Sequence, residues 1–244
     1  MTTKSKMIQV PLVGRELVAE QTMTFRFEKP ADWTYDAGQS VDLTLISPSE
    51  TDEEGDTRPF TLSSAPSEEL LSITTRLRDT AFKREIQRMP LGTRLKIDGP
   101  FGNLGLHRAK RPAVFLTGGI GITPFRSILA ETVRGVGLPY RVVLFYANRR
   151  PEDAAFLDEI AELADRDRNL TFVPTMTALE GSDLRWDGER GHIDPALLAR
   201  HLEGVTGGIY YLTGPAGMVR ALRTMILGVG VDQDDIRTEE FPGY

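Results

Sequence analysis

Two runs in the sequence hold groups suited to binding chemistry. The first is Arg58-Pro59-Phe60-Thr61-Leu62-Ser63-Ser64. It places a permanent cation, an aromatic ring and hydroxyl groups close together. A flavin needs that combination: charge for its phosphate, a face for its ring, and a donor for its redox-active nitrogen. The second run is Leu116-Thr117-Gly118-Gly119-Ile120-Gly121-Ile122-Thr123-Pro124. It reads as a glycine turn between an apolar strand and a helix, where free backbone N–H groups hold a pyrophosphate. Two unlike cofactor sites in this order point to a small electron-transfer enzyme using flavin and nicotinamide.

Each run also has a plainer reading. Pro59 suits a strand edge, with Phe60 in the core and Arg58 a surface charge. The glycines could serve only to let a helix pack close to a strand. A third run, Tyr210-Tyr211-Leu212-Thr213-Gly214-Pro215-Ala216-Gly217-Met218, repeats strand, glycine turn and helix. It sets Thr213 at the same carboxyl edge, or is an ordinary β–α connection. The C-terminal Arg237-Thr238-Glu239-Glu240-Phe241-Pro242-Gly243-Tyr244 bears two aromatics. It is expected to be a tail, either packed on the sheet or covering a cofactor.

The elements that must position these groups change character along the chain. Residues 10–18, 23–27, 40–45 and 70–77 alternate apolar with polar, the mark of antiparallel strands. Ser47 to Thr57 is acidic and reads as a solvated loop. A helix is expected over 81–89, with Asp79 or Thr80 as N-cap and Phe82, Ile86 and Met89 on one face. Gly99-Pro100-Phe101-Gly102 is expected to close the barrel with a tight turn. Beyond Lys110-Arg111-Pro112, strands at 113–117, 141–146, 170–173 and 209–213 alternate with helices at 122–133, 153–165 and 215–227. That alternation predicts a doubly wound parallel sheet. The expected organisation is an antiparallel β-barrel flavin domain over residues 1–108, followed by an α/β nicotinamide-dinucleotide domain over 109–244.

Composition narrows the function. The 244 residues carry a net charge of -6, which argues against a nucleic-acid partner. No window has the roughly 18 apolar residues of a membrane span. Met1 to Lys6 is polar with no apolar run behind it, so no secretory signal is expected and a cytoplasmic location is. The cysteine count is zero. Disulfides and cysteine-ligated iron–sulfur clusters are thereby excluded from this sequence. His107, His192 and His201 have no metal-like spacing.

Together, Arg58-Pro59-Phe60-Thr61, Gly99-Pro100-Phe101-Gly102, Gly118 to Pro124 and Thr213-Gly214-Pro215-Ala216-Gly217-Met218 resemble the ferredoxin–NADP reductase superfamily over nearly the whole chain. The resemblance implies a stand-alone NAD(P)H-dependent flavin oxidoreductase without an iron–sulfur domain. It implies FAD, with FMN in its place as the alternative. Arg58 would pair with the diphosphate, Pro59 and Phe60 would flank the flavin, and Thr61 would offer its hydroxyl near N5. Thr75 and Arg76 would lie on the next flavin-lining strand, and Thr80 would cap the phosphate-binding helix. Gly119, Gly121 and Thr123 would cradle the nicotinamide dinucleotide, and Thr213, Gly214 and Met218 would line its pocket. Tyr244 or Phe241 would cover the flavin, with Glu240 as an acidic partner nearby. Thr213 departs from the family, where many members have cysteine. The short loop before Thr80 lacks the usual glycines, which bears on FAD against FMN.

The implied acceptor is a ferredoxin, a flavodoxin, an oxygenase component, or a small quinone or dye. Competing readings are a free-flavin reductase, an electron-transfer subunit without its own turnover, and a regulatory dinucleotide-binding module. NADPH is expected over NADH. The strand at 141–146 runs into Ala147-Asn148-Arg149-Arg150, where Arg149 could meet a 2′-phosphate and no carboxylate appears before Glu152.

Overall fold

The structure is a computed structural model and describes residues 6–241. Six antiparallel strands come first: β1 (Ile8–Ala19), β2 (Thr22–Glu28), β3 (Ser40–Thr44), β4 (Thr57–Thr61), β5 (Leu70–Arg76) and, after the helix α1 (Ala81–Arg88), β6 (Arg94–Phe101). Their order is β4-β3-β6-β1-β2-β5. A bridge between Leu62 and Ile73 joins the two outer strands and closes the barrel. The alternating apolar residues turn inward, and Phe25, Phe27, Leu43, Ile73 and Ile97 are fully buried. Burying each such side chain contributes about 1.5–3 kcal/mol. Helix α1 adds Phe82, Ile86 and Met89 to that core. Thr80 caps α1: its Oγ1 accepts from the Lys83 amide at 3.3 Å.

The expected turn at Gly99-Pro100-Phe101 is not one. These residues continue β6, and Phe101 pairs with Ser40. The pairing shifts register between Ser40 and Asp42, beside Gly99 at φ +150°. Gly and Pro here mark an irregularity within a strand and not its end.

The second sheet holds β7 (Ala113–Gly118), β8 (Val142–Asn148), β9 (Leu170–Met176), β10 (Glu189–Arg190), β11 (Ile209–Pro215) and β12 (Ile236–Phe241), in the order β10-β9-β8-β7-β11-β12. Every pair is parallel. Helices α2 (Thr123–Arg134) and α3 (Leu157–Arg166) cover the face carrying Phe115 and Leu144. Helices α4 (Pro195–His201) and α5 (Ala216–Gly228) cover the face carrying Leu116 and Phe145. The sheet is doubly wound, and its strand order reverses between β7 and β11, where such folds open a crevice.

Three expectations are corrected. The helix expected from residue 153 starts at Leu157, after a 3₁₀ turn at Pro151–Asp153 and a left-handed Phe156. The short β10 and α4 were not foreseen. The C-terminal run is a strand as far as Phe241, where β12 pairs with β11 along Tyr210–Pro215; Pro242 to Tyr244 lie outside the described residues. Charged residues such as Arg237 and Glu240 suit an unpaired sheet edge, and they hid the strand pattern.

The two sheets are joined through α2. Ser127 donates to the Ser64 carbonyl at 2.6 Å, and the Arg126 Nη1 donates to the Ser63 carbonyl at 2.9 Å. Arg126 also pairs with Glu68 of the barrel and, at 2.6 Å, with Glu159 of α3. Arg134 pairs with both acids at 2.7 Å. Burial alone would raise the Glu68 carboxyl, but Arg126, the Ala65 amide and Arg134 outweigh it and hold Glu68 below the usual range. Such a group adds stability above its unfolded pKa and loses it as pH falls through the depressed value. Arg126→Met is expected to cost about 3 kcal/mol in urea unfolding at pH 7. The difference from wild type should shrink as pH falls below about 4.

Candidate active site between the sheets

A cleft of about 520 Å³ separates β4, β5 and α1 from the carboxyl edge of the parallel sheet. On the barrel side, Arg58, Pro59, Phe60 and Thr61 follow one another along β4 and all line it. Thr75 and Arg76 at the end of β5, and Thr80 at the head of α1, line it too. Opposite them stand Ile120 and Thr123 from the turn after β7, and Glu239, Glu240 and Phe241 from β12. Segments far apart in sequence meet here because β12 adds to the sheet beside β11, which sets Glu239 level with Thr213 and Phe241 level with Pro215.

One end of the cleft is cationic. Arg58 lies over the Phe82 ring, 5.4 Å from its centroid, and pairs with Asp52 and Glu54. The Lys83 ammonium donates to Thr75 Oγ1 at 2.9 Å and to the Arg76 carbonyl at 2.6 Å. Burial, with Arg78 and Arg58 nearby, pushes its pKa down to about 8. Arg76 and Arg78 have no ion-pair partner among the described residues. In the sequence Arg78 and Lys83 belong to a basic patch with Arg76, Arg84 and Arg88, either a docking face for an acidic partner or a solvated helix face with phosphate ligands; Arg76, Arg78 and Lys83 of that patch line the cleft.

The other end is acidic and aromatic. The Thr61 hydroxyl donates to Glu239 Oε1 at 3.4 Å. Burial raises the Glu239 carboxyl above its usual range, and Thr61 opposes this in part. The expected acid was Glu240, which lines the cleft but is exposed. Glu239 is the acid on Thr61. Strand alternation sets Glu239 and Phe241 on one face and Glu240 on the other, a signal readable only once β12 is recognised as a strand. Phe60 and Phe241 are half-buried and give the cleft apolar walls. Tyr244 lies outside the described residues.

The glycine turns lie beside the cleft. Gly119 adopts φ +53°. Gly121 is buried, and a Cβ there would meet the Gly214 Cα at 2.7 Å. Met218 packs over Gly118, where a Cβ would lie 2.4 Å from its Sδ. Thr213 is fully buried, donating to the Gly121 carbonyl at 2.7 Å with the Thr117 hydroxyl 2.9 Å away. It clamps the two turns together at the carboxyl edge and does not present its hydroxyl at a surface. Thr123 donates to the Ile120 carbonyl at 3.1 Å. Arg149 is exposed just past β8, away from this cleft. Beside it, the Asn148 amide is buried with neither polar atom hydrogen-bonded among the described residues. A buried amide without partners is costly.

Residues 115–224 match the oxidoreductase NAD-binding domain family. The chain is 27% identical over 243 residues to the stachydrine N-demethylase reductase subunit Stc4 of Rhizobium meliloti, covering 95% of this chain and 67% of that protein. It spans far less of other curated relatives it matches, 38% of one and 9% of another. Among solved structures, Amycolatopsis cytochrome P450 reductase GcoB superposes with a TM-score of 0.80 at 21% identity, covering 98% of this chain and 71% of that one. A ferredoxin NADP+ reductase from Neisseria gonorrhoeae, solved with FAD and NADP, superposes with a TM-score of 0.77 at 22% identity, covering 96% and 98%. The chain shares the fold of these two structures, an antiparallel barrel followed by a doubly wound parallel sheet.

The depressed Lys83 amine can be measured directly. Carbon-13 NMR of the reductively methylated protein should show one lysine titrating near pH 8 and absent in Lys83→Arg. If every lysine titrates near its ordinary value of about 10.4, the buried placement of Lys83 is wrong.

Proposed function

We propose that the protein is an NAD(P)H-dependent flavoprotein oxidoreductase that passes electrons to a protein or small acceptor. The carrying observation is the cleft itself: the cation, ring and hydroxyl of Arg58–Thr61 face the glycine-turn edge of an NAD-binding domain across one space. The donor set fits a dinucleotide flavin. Arg58, Arg76, Lys83 and the head of α1 suit a diphosphate, and Phe60 and Phe241 suit a planar ring. We assign residues 1–108 to flavin binding and 109–244 to NAD(P)H binding and the strand that completes the cleft. FAD is favoured over FMN because the cationic end can take a second phosphate.

When bound, the flavin accepts hydride from the nicotinamide and hands electrons on. The chain's own task is alignment and water exclusion. Arg58 and its neighbours hold the anionic tail. Phe60 and Phe241 shield the ring from solvent. Burial raises the Glu239 carboxyl beside the Thr61 hydroxyl, an acid–hydroxyl pair placed to hold or pass a proton. Thr213 and Met218 fix the two glycine turns against each other. The acceptor is read as an oxygenase component; the relative Stc4 is named as the reductase subunit of a stachydrine N-demethylase, and ferredoxin or flavodoxin is the alternative. No described helix is long and apolar enough to cross a membrane. We place the protein in the cytoplasm, where NAD(P)H is supplied.

A second reading, a reductase of freely exchanging flavin, is supported by one observation: the Arg58 donors are already engaged by the protein.

Two measurements test the proposal. The protein should bind FAD, and its flavin band should bleach on anaerobic addition of NADPH. Arg58→Ala should weaken FAD binding by about 1.5–3 kcal/mol, tenfold to over a hundredfold. Full flavin retention by that variant after dialysis would remove Arg58 from the site. In steady-state kinetics, kcat/KM should be higher with NADPH than with NADH, and Arg149→Ala should narrow the ratio. Equal or better use of NADH by the wild type would overturn the preference.

A further inference from the structure

We infer that the acidic loop between β3 and β4 competes, through Asp52 and Glu54, with the cofactor's diphosphate for Arg58, and so lowers flavin affinity. The inference rests on the flavin-binding reading above. A guanidinium has five N–H donors. Around Arg58, Nε pairs with Glu54 at 2.9 Å and Nη2 with Asp52 at 2.6 Å. Nη1 faces the carbonyls of Glu54, Gly55 and Thr57 at 2.9, 2.7 and 2.9 Å. The two carboxylates stand at Nε and Nη2, and a bidentate grip on a phosphate takes two such donors. The loop must therefore yield before Arg58 can hold the ligand.

Its construction allows that. The near end is fixed to α1, where Ser49 bonds Glu85 through its amide at 3.0 Å and its hydroxyl at 2.6 Å, and Glu50 pairs with Arg84. The far end hangs on Arg58. The Glu54 side chain is 76% exposed and Asp52 31%, so these pairs are of the weak, solvent-screened kind. Gly55 turns the chain at φ +73°, and nothing lies within 4 Å of where its Cβ would be. Burial would raise the Asp52 carboxyl, but Arg58 and the amides of Glu54 and Ala81 hold it low. Ala81 begins α1, so Asp52 draws on the two groups that suit a phosphate: the arginine and the helix head.

The test is a mutant cycle read by FAD titration of flavin-stripped protein, using flavin fluorescence. Asp52→Asn/Glu54→Gln should tighten FAD binding by about tenfold. The same pair placed in Arg58→Ala should change affinity less than about twofold. Glu53→Gln/Asp56→Asn removes equal charge from the loop away from Arg58 and should leave affinity near wild type. Circular dichroism checks that each variant folds. Unchanged or weaker binding in the first variant would mean that the carboxylates orient Arg58, and the inference falls. Equal tightening in the control or in the Arg58→Ala background would reduce it to a general charge effect, and it falls as well. If the wild type binds no FAD, the flavin reading fails first; if it binds FAD but the cycle shows no coupling, only the loop's role fails.

Discussion

Everything at the cleft depends on how the barrel is held against the parallel sheet, and that rests on one helix. Helix α2 begins in the glycine turn after β7, and its Arg126 and Ser127 bind the carbonyls of Ser63 and Ser64 just beyond β4. The element that presents the dinucleotide edge is thus bolted to the strand that presents Arg58 and Thr61. The bolt is ionic at its core, since Arg126 is shared between Glu68 and Glu159. A half-buried guanidinium with two carboxylates fixes direction as well as distance. An apolar contact of similar area would hold the sheets together but allow them to slide.

The cleft separates charge along its length. Arg58, Arg76, Arg78 and Lys83 gather at one end, and Glu239 and Glu240 stand at the other. Burial acts in opposite senses on the two ends. It lowers Lys83 and raises Glu239, so both groups are drawn toward their neutral forms. Neutral forms are cheaper to enclose, which lets the cleft keep ionisable groups without strong pairing. Thr61 sits where the barrel meets β12 and is the hydroxyl that touches the acid.

Much of this was legible in the sequence, and the gaps have physical causes. Barrel strands such as Met23 to Phe27 declared themselves by alternation, and β7 by its unbroken apolar run. The Arg58 to Thr61 run and Thr80 were read as one cofactor site and Thr123 as part of another, and one cleft holds them all. The edge strand β12 was missed because an edge needs charge and not hydrophobic residues. Glu240, the acid singled out in the sequence, does line the cleft, but it is its neighbour Glu239 that meets Thr61, since side chains of adjacent strand residues point apart. Gly121 and Thr213 were read for what they might offer a ligand, but local sequence cannot show that their turns press on each other. The loop around Asp52 looked solvated for a similar reason. Its carboxylates meet Arg58 through folding of the hairpin, which composition does not reveal.

The start of β12 is tied to the segment that connects the two sheets. Arg111 of that segment bonds Asp235 at 2.8 Å and the Gly207 carbonyl at 2.6 Å. Arg237 meets the Tyr211 hydroxyl, which lies 2.9 Å from His107 Nδ1. The final strand is therefore moored at its beginning and free along its outer side. Because β12 also pairs with β11 from Tyr210 to Pro215, it belongs to the parallel sheet, and the 3.4 Å contact between Thr61 and Glu239 registers any displacement of that sheet against the barrel. The strand works as a feeler gauge set across the joint.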